Sequence, residues 1–278
     1  MSVASTLESL IQSELAVDRA ADDVTCALLG QAGRRPARAR VLAKAPGVFS
    51  GAQVASALEA ALAGRVRLLE AAAEGALFRV GDSVVELEGT AALLLSVERT
   101  LLNFLGPLCG VATETRAFVE AVRPHPTIIL ATRKTLPGLR DLQLQAVVAG
   151  GGRVHRRSLS DGILIKENHQ ALVPGPQLIR RARETRSPLH RVEIEVQDLA
   201  GLDAVLECQP DVIMLDNLGL DQMVEAVGRI GGACEIEVSG GVRLEQAAAI
   251  AALGVNYISV GRITHSAPCR DLSLELVT

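Results

Sequence analysis

Three of the chain's 28 basic residues are lysines, Lys44, Lys134 and Lys166, and the rest are arginines. A lysine kept against that bias suits a task needing a compact, mobile ammonium rather than a planar fork. Lys134 follows Arg133, and Lys166 precedes Glu167-Asn168-His169, each just after a short apolar run. Glu195, Asp216-Asn217, Ser239-Gly240-Gly241 and Gly261 stand at the ends of similar runs. Cations neutralise anionic groups, two carboxylates can share a Mg2+ or its waters, and glycines let backbone N–H groups approach a phosphate. A site for a small, multiply anionic molecule follows if the fold gathers these residues.

Each piece also has a plainer role. Asp216 alone reads as a cap for the next helix, and Ser239-Gly240-Gly241 as a tight turn. Gly150-Gly151-Gly152 leading into Arg153-Val154-His155-Arg156-Arg157 is equally a solvated basic loop. Their company shifts the balance, because with Arg133, Lys134 and Lys166 they would form a cationic pocket in an acidic protein. His125, His190, Cys109 and Cys208 read as structural.

The elements that must position these groups come in two styles. Residues 5–16 and 51–63 carry helical spacing, whereas 37–44, 65–70, 76–80 and 83–87 alternate or cluster as short strands between turns. Residues 1–107 therefore read as a helix-plus-antiparallel-sheet domain. From residue 108 strands alternate with helices: Thr127–Ala131, Gly162–Lys166, Arg191–Val196, Val212–Asp216, Cys234–Val238 and Val255–Val260 are candidate strands, six at minimum. Runs such as Val-Ile-Met-Leu imply burial on both faces, hence a parallel barrel or a doubly wound sheet. In a parallel α/β barrel the strand ends share one face, where phosphate commonly sits on the last loops.

Composition narrows the partners. With 278 residues, 49% hydrophobic and 22% charged positions and a net charge of −4, the chain reads as an ordinary globular protein. Aromatic residues make up 2% and there is no basic excess, which argues against nucleic-acid binding. The five cysteines contain no CxxC pair and suit a reducing cytoplasm. The opening Met-Ser-Val-Ala-Ser-Thr-Leu-Glu lacks a leader pattern, and no segment is expected to approach the ~18 apolar residues of a membrane span. Neither GxGxxG after the first strand nor GxxxxGK[ST] occurs.

The runs Ala131-Thr132-Arg133-Lys134-Thr135-Leu136-Pro137-Gly138-Leu139-Arg140, Ala149–Gly152 to His155-Arg156, and Leu164-Ile165-Lys166-Glu167-Asn168-His169 closely resemble the quinolinate phosphoribosyltransferases. So do Glu98-Arg99-Thr100, Ile213–Asn217, Val238–Gly241 and Ile258–Gly261, in order through residues 96–275. The resemblance implies the incomplete α/β barrel of the type II phosphoribosyltransferases, over 108–267. It also implies an N-terminal α+β open-faced sandwich, 1–107, rejoined by 268–278.

It further implies transfer of phosphoribosyl from 5-phosphoribosyl-1-pyrophosphate to quinolinate with decarboxylation, a step of NAD biosynthesis. By the same resemblance Arg133, Arg156 and Arg99 hold the acid with His155 and Thr132. Lys134, Lys166 and a Mg2+ on Glu195 and Asp216 serve the pyrophosphate, and Ser239, Gly240, Gly241 and Gly261, near His265, take the 5-phosphate. Arg99 would come from the partner of a homodimer, or of a higher oligomer built from it.

Four positions depart from the family pattern and are expected to touch the substrate pocket. Ala131 stands for Asp, Val154 for Asn, Arg157 for an apolar residue and Arg262 for a small one. The alternatives are a paralogous transferase of the molybdenum-transport-associated type acting on another small aromatic acid, and a non-catalytic anion-binding relative.

Overall fold

The computed structural model describes residues 3–277, with side chains from Leu7 onward. Met1 and Ser2 of the stretch read for a leader, and Thr278 of the tail, lie outside the described residues. Two compact units divide the chain: residues up to Glu114 with Asp141–Gly150 and the segment from Ala267, and Thr115–Arg140 with Gly151–Ser266.

In the first unit, β1 (Pro36–Ala43), β3 (Arg67–Ala71) and β5 (Ser83–Thr90) join β13 (Leu272–Val277) in an antiparallel sheet of order β13-β1-β5-β3. A two-residue pair, β2 (Gly47–Val48) with β4 (Leu77–Phe78), stands apart. Buried and open positions alternate along β1, so that Ala39, Val41 and Ala43 face inward while Arg38 and Arg40 pair with Glu88 and Glu86 on β5. The helices are α1 (Val3–Val17), α2 (Val24–Ala27), α3 (Ala52–Ala61) and the start of α4 (Ala91–Ala121). Asp23 caps α2 by accepting from the N–H groups of Thr25 and Cys26, and its other oxygen accepts from Ser96.

Helix α4 runs through the expected boundary at 107/108, with Pro107 inside it, and it corrects the expectation that no segment approaches a membrane span. It is long and apolar enough, by length and composition, to cross a bilayer. Over half of that stretch is buried in the protein, and Leu94, Val97, Leu101, Leu105 and Leu108 are core residues.

Gly106 and Gly110 of α4 receive the returning C-terminal segment. The Arg270 N–H donates to the Gly106 carbonyl at 3.0 Å, and a Cβ on Gly110 would lie 2.4 Å from the Pro268 carbonyl oxygen. Gly110→Ala should therefore destabilise the protein, although alanine is the better helix former by about 1 kcal/mol. Overpacking costs roughly 1–3 kcal/mol in ordinary sites and more against rigid backbone. A Tm lowered by about 5 °C is expected, and an unchanged melting curve would remove this contact from the account.

In the second unit seven parallel strands form one sheet of order β7-β6-β12-β11-β10-β9-β8. They are β6 (Ile128–Ala131), β7 (Arg153–Val154), β8 (Ile163–Ile165), β9 (Val192–Val196), β10 (Val212–Asp216), β11 (Glu235–Ser239) and β12 (Tyr257–Val260). The intervening helices are α5 (Arg140–Ala149), α6 (Glu167–Gln170), α7 (Gly175–Thr185), α8 (Leu202–Leu206), α9 (Leu220–Ile230), α10 (Leu244–Ala251) and α11 (Arg262–His265). Most of α5 groups with the first unit, where Gln53 donates to Gln145.

Six of the seven strands match expected segments within two residues; β7 was not expected. β7 and β8 follow each other in the chain yet stand at opposite edges of the sheet, which makes this a barrel left open at one seam. Every residue of β9 is buried, as a strand covered on both faces must be.

Candidate active site

At the C-terminal ends of these strands lies a cavity of about 420 Å3. The segment after β6 brings Thr132, Arg133 and Lys134 to it, and β7 leads into His155 and Arg156. Lys166 follows β8, and Glu195, Asp216 and Ser239-Gly240-Gly241 come from β9, β10 and β11. Residues that stand far apart in sequence thus meet because all these strands run the same way.

Its cationic wall is built under tension. Arg133 Nε is buried with no hydrogen-bond partner among the described residues. Arg156 Nη1 donates to the Gly162 carbonyl at 3.2 Å, and burial followed by repulsion from Arg133 pushes its pKa below the ordinary arginine value. Two guanidinium groups, one with an idle buried donor, present the forks a planar dicarboxylate needs.

Opposite stand the carboxylates. Glu195 is 6% exposed; its Oε2 accepts from Lys166 Nζ at 2.9 Å and its Oε1 from Gln197 Nε2 at 3.2 Å. Short helix α6 braces the same strand end, with Gln170 Nε2 donating to the Glu195 carbonyl at 2.7 Å and His169 Nδ1 accepting from the Lys166 N–H at 2.8 Å. Burial first, then the facing charge of Glu195, raises the pKa of Asp216. A buried carboxylate and a half-buried one close enough to feel its charge form a donor set that suits a Mg2+.

The glycine turn has its own reason. Asn217 adopts a left-handed conformation (φ 57°), and its N–H donates to the Ser239 carbonyl at 3.1 Å. A Cβ on Gly240, whose φ is +88°, would lie 2.4 Å from Asn217 Oδ1. Only glycine brings the two loops this close.

Three expected residues do not line this cavity. Gly261 and His265 stand behind Lys134: a Cβ on Gly261 would come 3.2 Å from both Lys134 Cδ and His265 Nε2. Thr264 Oγ1 donates to the Lys134 carbonyl at 2.7 Å, which moors the lysine's loop to α11. Arg99 is exposed on the first unit, beside a hollow shared with Asp18, Asp23 and Val24.

Ala131 and Val154, expected at the pocket, are register partners across β6 and β7. Ala131 is buried, and neither residue lines the cavity, nor do Arg157 and Arg262. The two apolar replacements lie side by side in the sheet, where each suits the other.

Sequence reading named Asn217 at its strand end without giving it a role, and it missed Gln170, Gln197, Glu193 and Glu237. The last two carried a usable signal, since Val-Glu-Ile-Glu-Val and Glu-Ile-Glu-Val put glutamates on alternate positions of strands that must be buried.

An open parallel barrel with arginine forks, paired carboxylates and a glycine turn at its C-terminal mouth defines an α/β enzyme for small polyanions. Family models for quinolinate phosphoribosyl transferase match twice, the N-terminal domain at residues 23–109 and the C-terminal domain at 111–275. Among curated relatives, the chain is 41% identical to the nicotinate-nucleotide pyrophosphorylase [carboxylating] of Mycobacterium leprae, covering 83% of each. It is 36% identical to a probable enzyme of the same name from Bacillus subtilis, covering 88% of this chain and 85% of that one. The solved nicotinate-nucleotide pyrophosphorylase of Francisella tularensis superposes with a TM-score of 0.91 at 32% identity, over 100% of this chain and 98% of that one. The chain belongs to the quinolinate phosphoribosyltransferase family.

Proposed function

We propose that this protein transfers the phosphoribosyl group of 5-phosphoribosyl-1-pyrophosphate to quinolinate and releases pyrophosphate and CO2, leaving nicotinate mononucleotide. The carrying observation is that one cavity joins a two-arginine wall, with its idle buried Arg133 Nε, to the Glu195–Asp216 and Gly240-Gly241 side. The first half suits a dicarboxylate and the second a sugar phosphate.

In the transfer, the C1–O bond to pyrophosphate breaks with its electron pair leaving on oxygen, and the pyridine nitrogen forms the new bond to C1. Lys134 and Lys166 neutralise the departing charge, most usefully as it develops. Glu195 and Asp216 would hold a Mg2+, which when bound supplies further neutralisation of the pyrophosphate. The bond to the carboxylate at C2 then breaks. Its electron pair stays on C2 beside the cationic ring nitrogen, and C2 takes up a proton.

Arg99 is assigned to the neighbouring cavity of a homodimer. Its exposure on the first unit, beside the 79%-exposed Val24, supports a face covered by a second copy. The five free cysteines suit a cytoplasmic setting. The off-cavity placement of Ala131, Val154, Arg157 and Arg262 favours quinolinate over a changed acid.

Mass spectrometry of purified protein with phosphoribosyl pyrophosphate, Mg2+ and either quinolinate or nicotinate tests the reading. Nicotinate mononucleotide and CO2 from quinolinate alone are expected. Product from nicotinate alone, or from neither acid, would sink it.

A further inference from the structure

His155, on the cavity wall, sits in a charge cluster whose two glutamates the transfer chemistry leaves without a task. His155 Nε2 lies 2.8 Å from Glu193 Oε2 and 3.2 Å from Glu237 Oε2. The glutamates are 6% and 1% exposed, and the Oε1 atom of each is buried without a partner. Two carboxylates this deep need a cation beside them to stay charged, because burial, with the charge of Glu237, pushes the Glu193 carboxyl above the usual carboxylate range while His155 opposes the shift. His155 supplies that cation, reaching across the barrel from the end of β7 to β9 and β11.

The ring borders two cavities, the one described above and another of about 380 Å3. Arg133, Lys166 and Glu195 line the first with it. Glu193, Tyr257, Arg191, Arg153 and Asp161 line the second, and Arg156 and Glu237 line both.

Nδ1 has no hydrogen-bond partner among the described residues. A neutral ring that donates from Nε2 would turn a lone pair on Nδ1 toward the ligand and repel a carboxylate. The doubly protonated ring offers an N–H instead.

We propose that Glu193 and Glu237 are positioning residues that hold His155 as an imidazolium, so that Nδ1–H remains a donor to a substrate carboxylate across the working pH range. The proposal rests on the cavity being the acid's site. Burial pulls this imidazolium toward neutrality, but hydrogen bonds to both carboxylates outweigh it and raise the pKa to about 10. A raised value keeps the charge in place below it, so ligand binding through His155 weakens only as pH climbs toward that value. The same three side chains have the spacing of a cation site. A divalent ion there would take the Nε2 position, and the test separates the two occupants.

Imidazole nitrogen NMR on the 15N-labelled, EDTA-treated protein reads the ring directly, with His155→Phe assigning the signal. The wild-type ring is expected to stay charged past pH 9, with the same spectrum before and after EDTA. In Glu193→Gln/Glu237→Gln it should titrate near the ordinary histidine value of about 6.5. The KM for quinolinate of that variant should rise roughly tenfold more than that of wild type between pH 6 and pH 8.5, as expected for a lost charge-assisted hydrogen bond. The KM for phosphoribosyl pyrophosphate should keep its wild-type pH dependence.

A wild-type ring titrating near 6.5, an EDTA-dependent spectrum, or a variant KM raised equally at both pH values would overturn the proposal. If wild type does not turn over quinolinate, the functional reading fails while the titration still decides the charge on His155.

Discussion

Glu195→Gln should lower the rate of pyrophosphate release by about two to three orders of magnitude while leaving the melting temperature within a few degrees of wild type. The substitution keeps the shape of a side chain packed between buried strands and keeps an acceptor for Lys166. It removes the charge that pairs with Lys166 Nζ at 2.9 Å and half of the carboxylate set offered to a Mg2+. Stability suffers little because Lys166 is 48% exposed and can turn into water, so the pair contributes at most about 1 kcal/mol. Catalysis suffers more, since leaving-group charge develops in the transition state and has no comparable demand in the resting protein. Steady-state turnover with calorimetry on the same samples separates the two effects. A kcat within about threefold of wild type would remove Glu195 from the chemistry, because even one lost stabilising donor costs more than that.

Gly240→Ala should be nearly as damaging by a different route. The new methyl would sit 2.4 Å from Asn217 Oδ1 and 2.6 Å from its backbone nitrogen, at a φ of +88° that alanine resists. Positive φ alone costs roughly 1–3 kcal/mol, and the overlap with backbone adds a similar amount. The loop must move, and Asn217 moves with it. Because Asn217 Nδ2 donates to Asp216 Oδ2 at 2.7 Å, the displacement reaches one of the two carboxylates proposed to hold Mg2+. The KM for phosphoribosyl pyrophosphate should rise by about a hundredfold if ~3 kcal/mol of loop positioning is lost. Gly241→Ala is the internal control: its φ is +58° but open space surrounds the new methyl, so only the backbone penalty applies. Equal, mild effects of the two substitutions would refute the contact with Asn217 as what shapes the loop.

Much of the barrel was legible because buried parallel strands announce themselves as short apolar runs, and a reactive residue directly after such a run has one place to go. Val212–Asp216 was read to the residue, and Lys166, Glu195 and Ser239-Gly240-Gly241 reached one cavity as the strand-end argument requires. What escaped lacks a local signature. β7 is two residues long, Arg153-Val154, too short for any period. The mooring of Lys134 by Thr264 joins positions 130 residues apart. The split of α5 between units, and the placement of Ala131 against Val154 instead of substrate, depend on packing and register. Gln170 and Gln197 act through one hydrogen bond each to Glu195, and an amide beside an acid carries no pattern that distinguishes support from solvent exposure.

The antiparallel sheet has a consequence for how the molecule is made. β1 lies between β5 and β13, and its register with β13 runs from Arg38↔Val277 to Ala43↔Leu272. On the ribosome β1 and β5 emerge before the barrel strands, whereas the strand that covers the other side of β1 emerges only after them. Until then β1 is a bare edge, open to pairing with any other nascent strand. Arg38 and Arg40 on that edge are the kind of charged side chains that discourage such pairing. Completion of the antiparallel sheet therefore waits until all the barrel strands between β5 and β13 have been made.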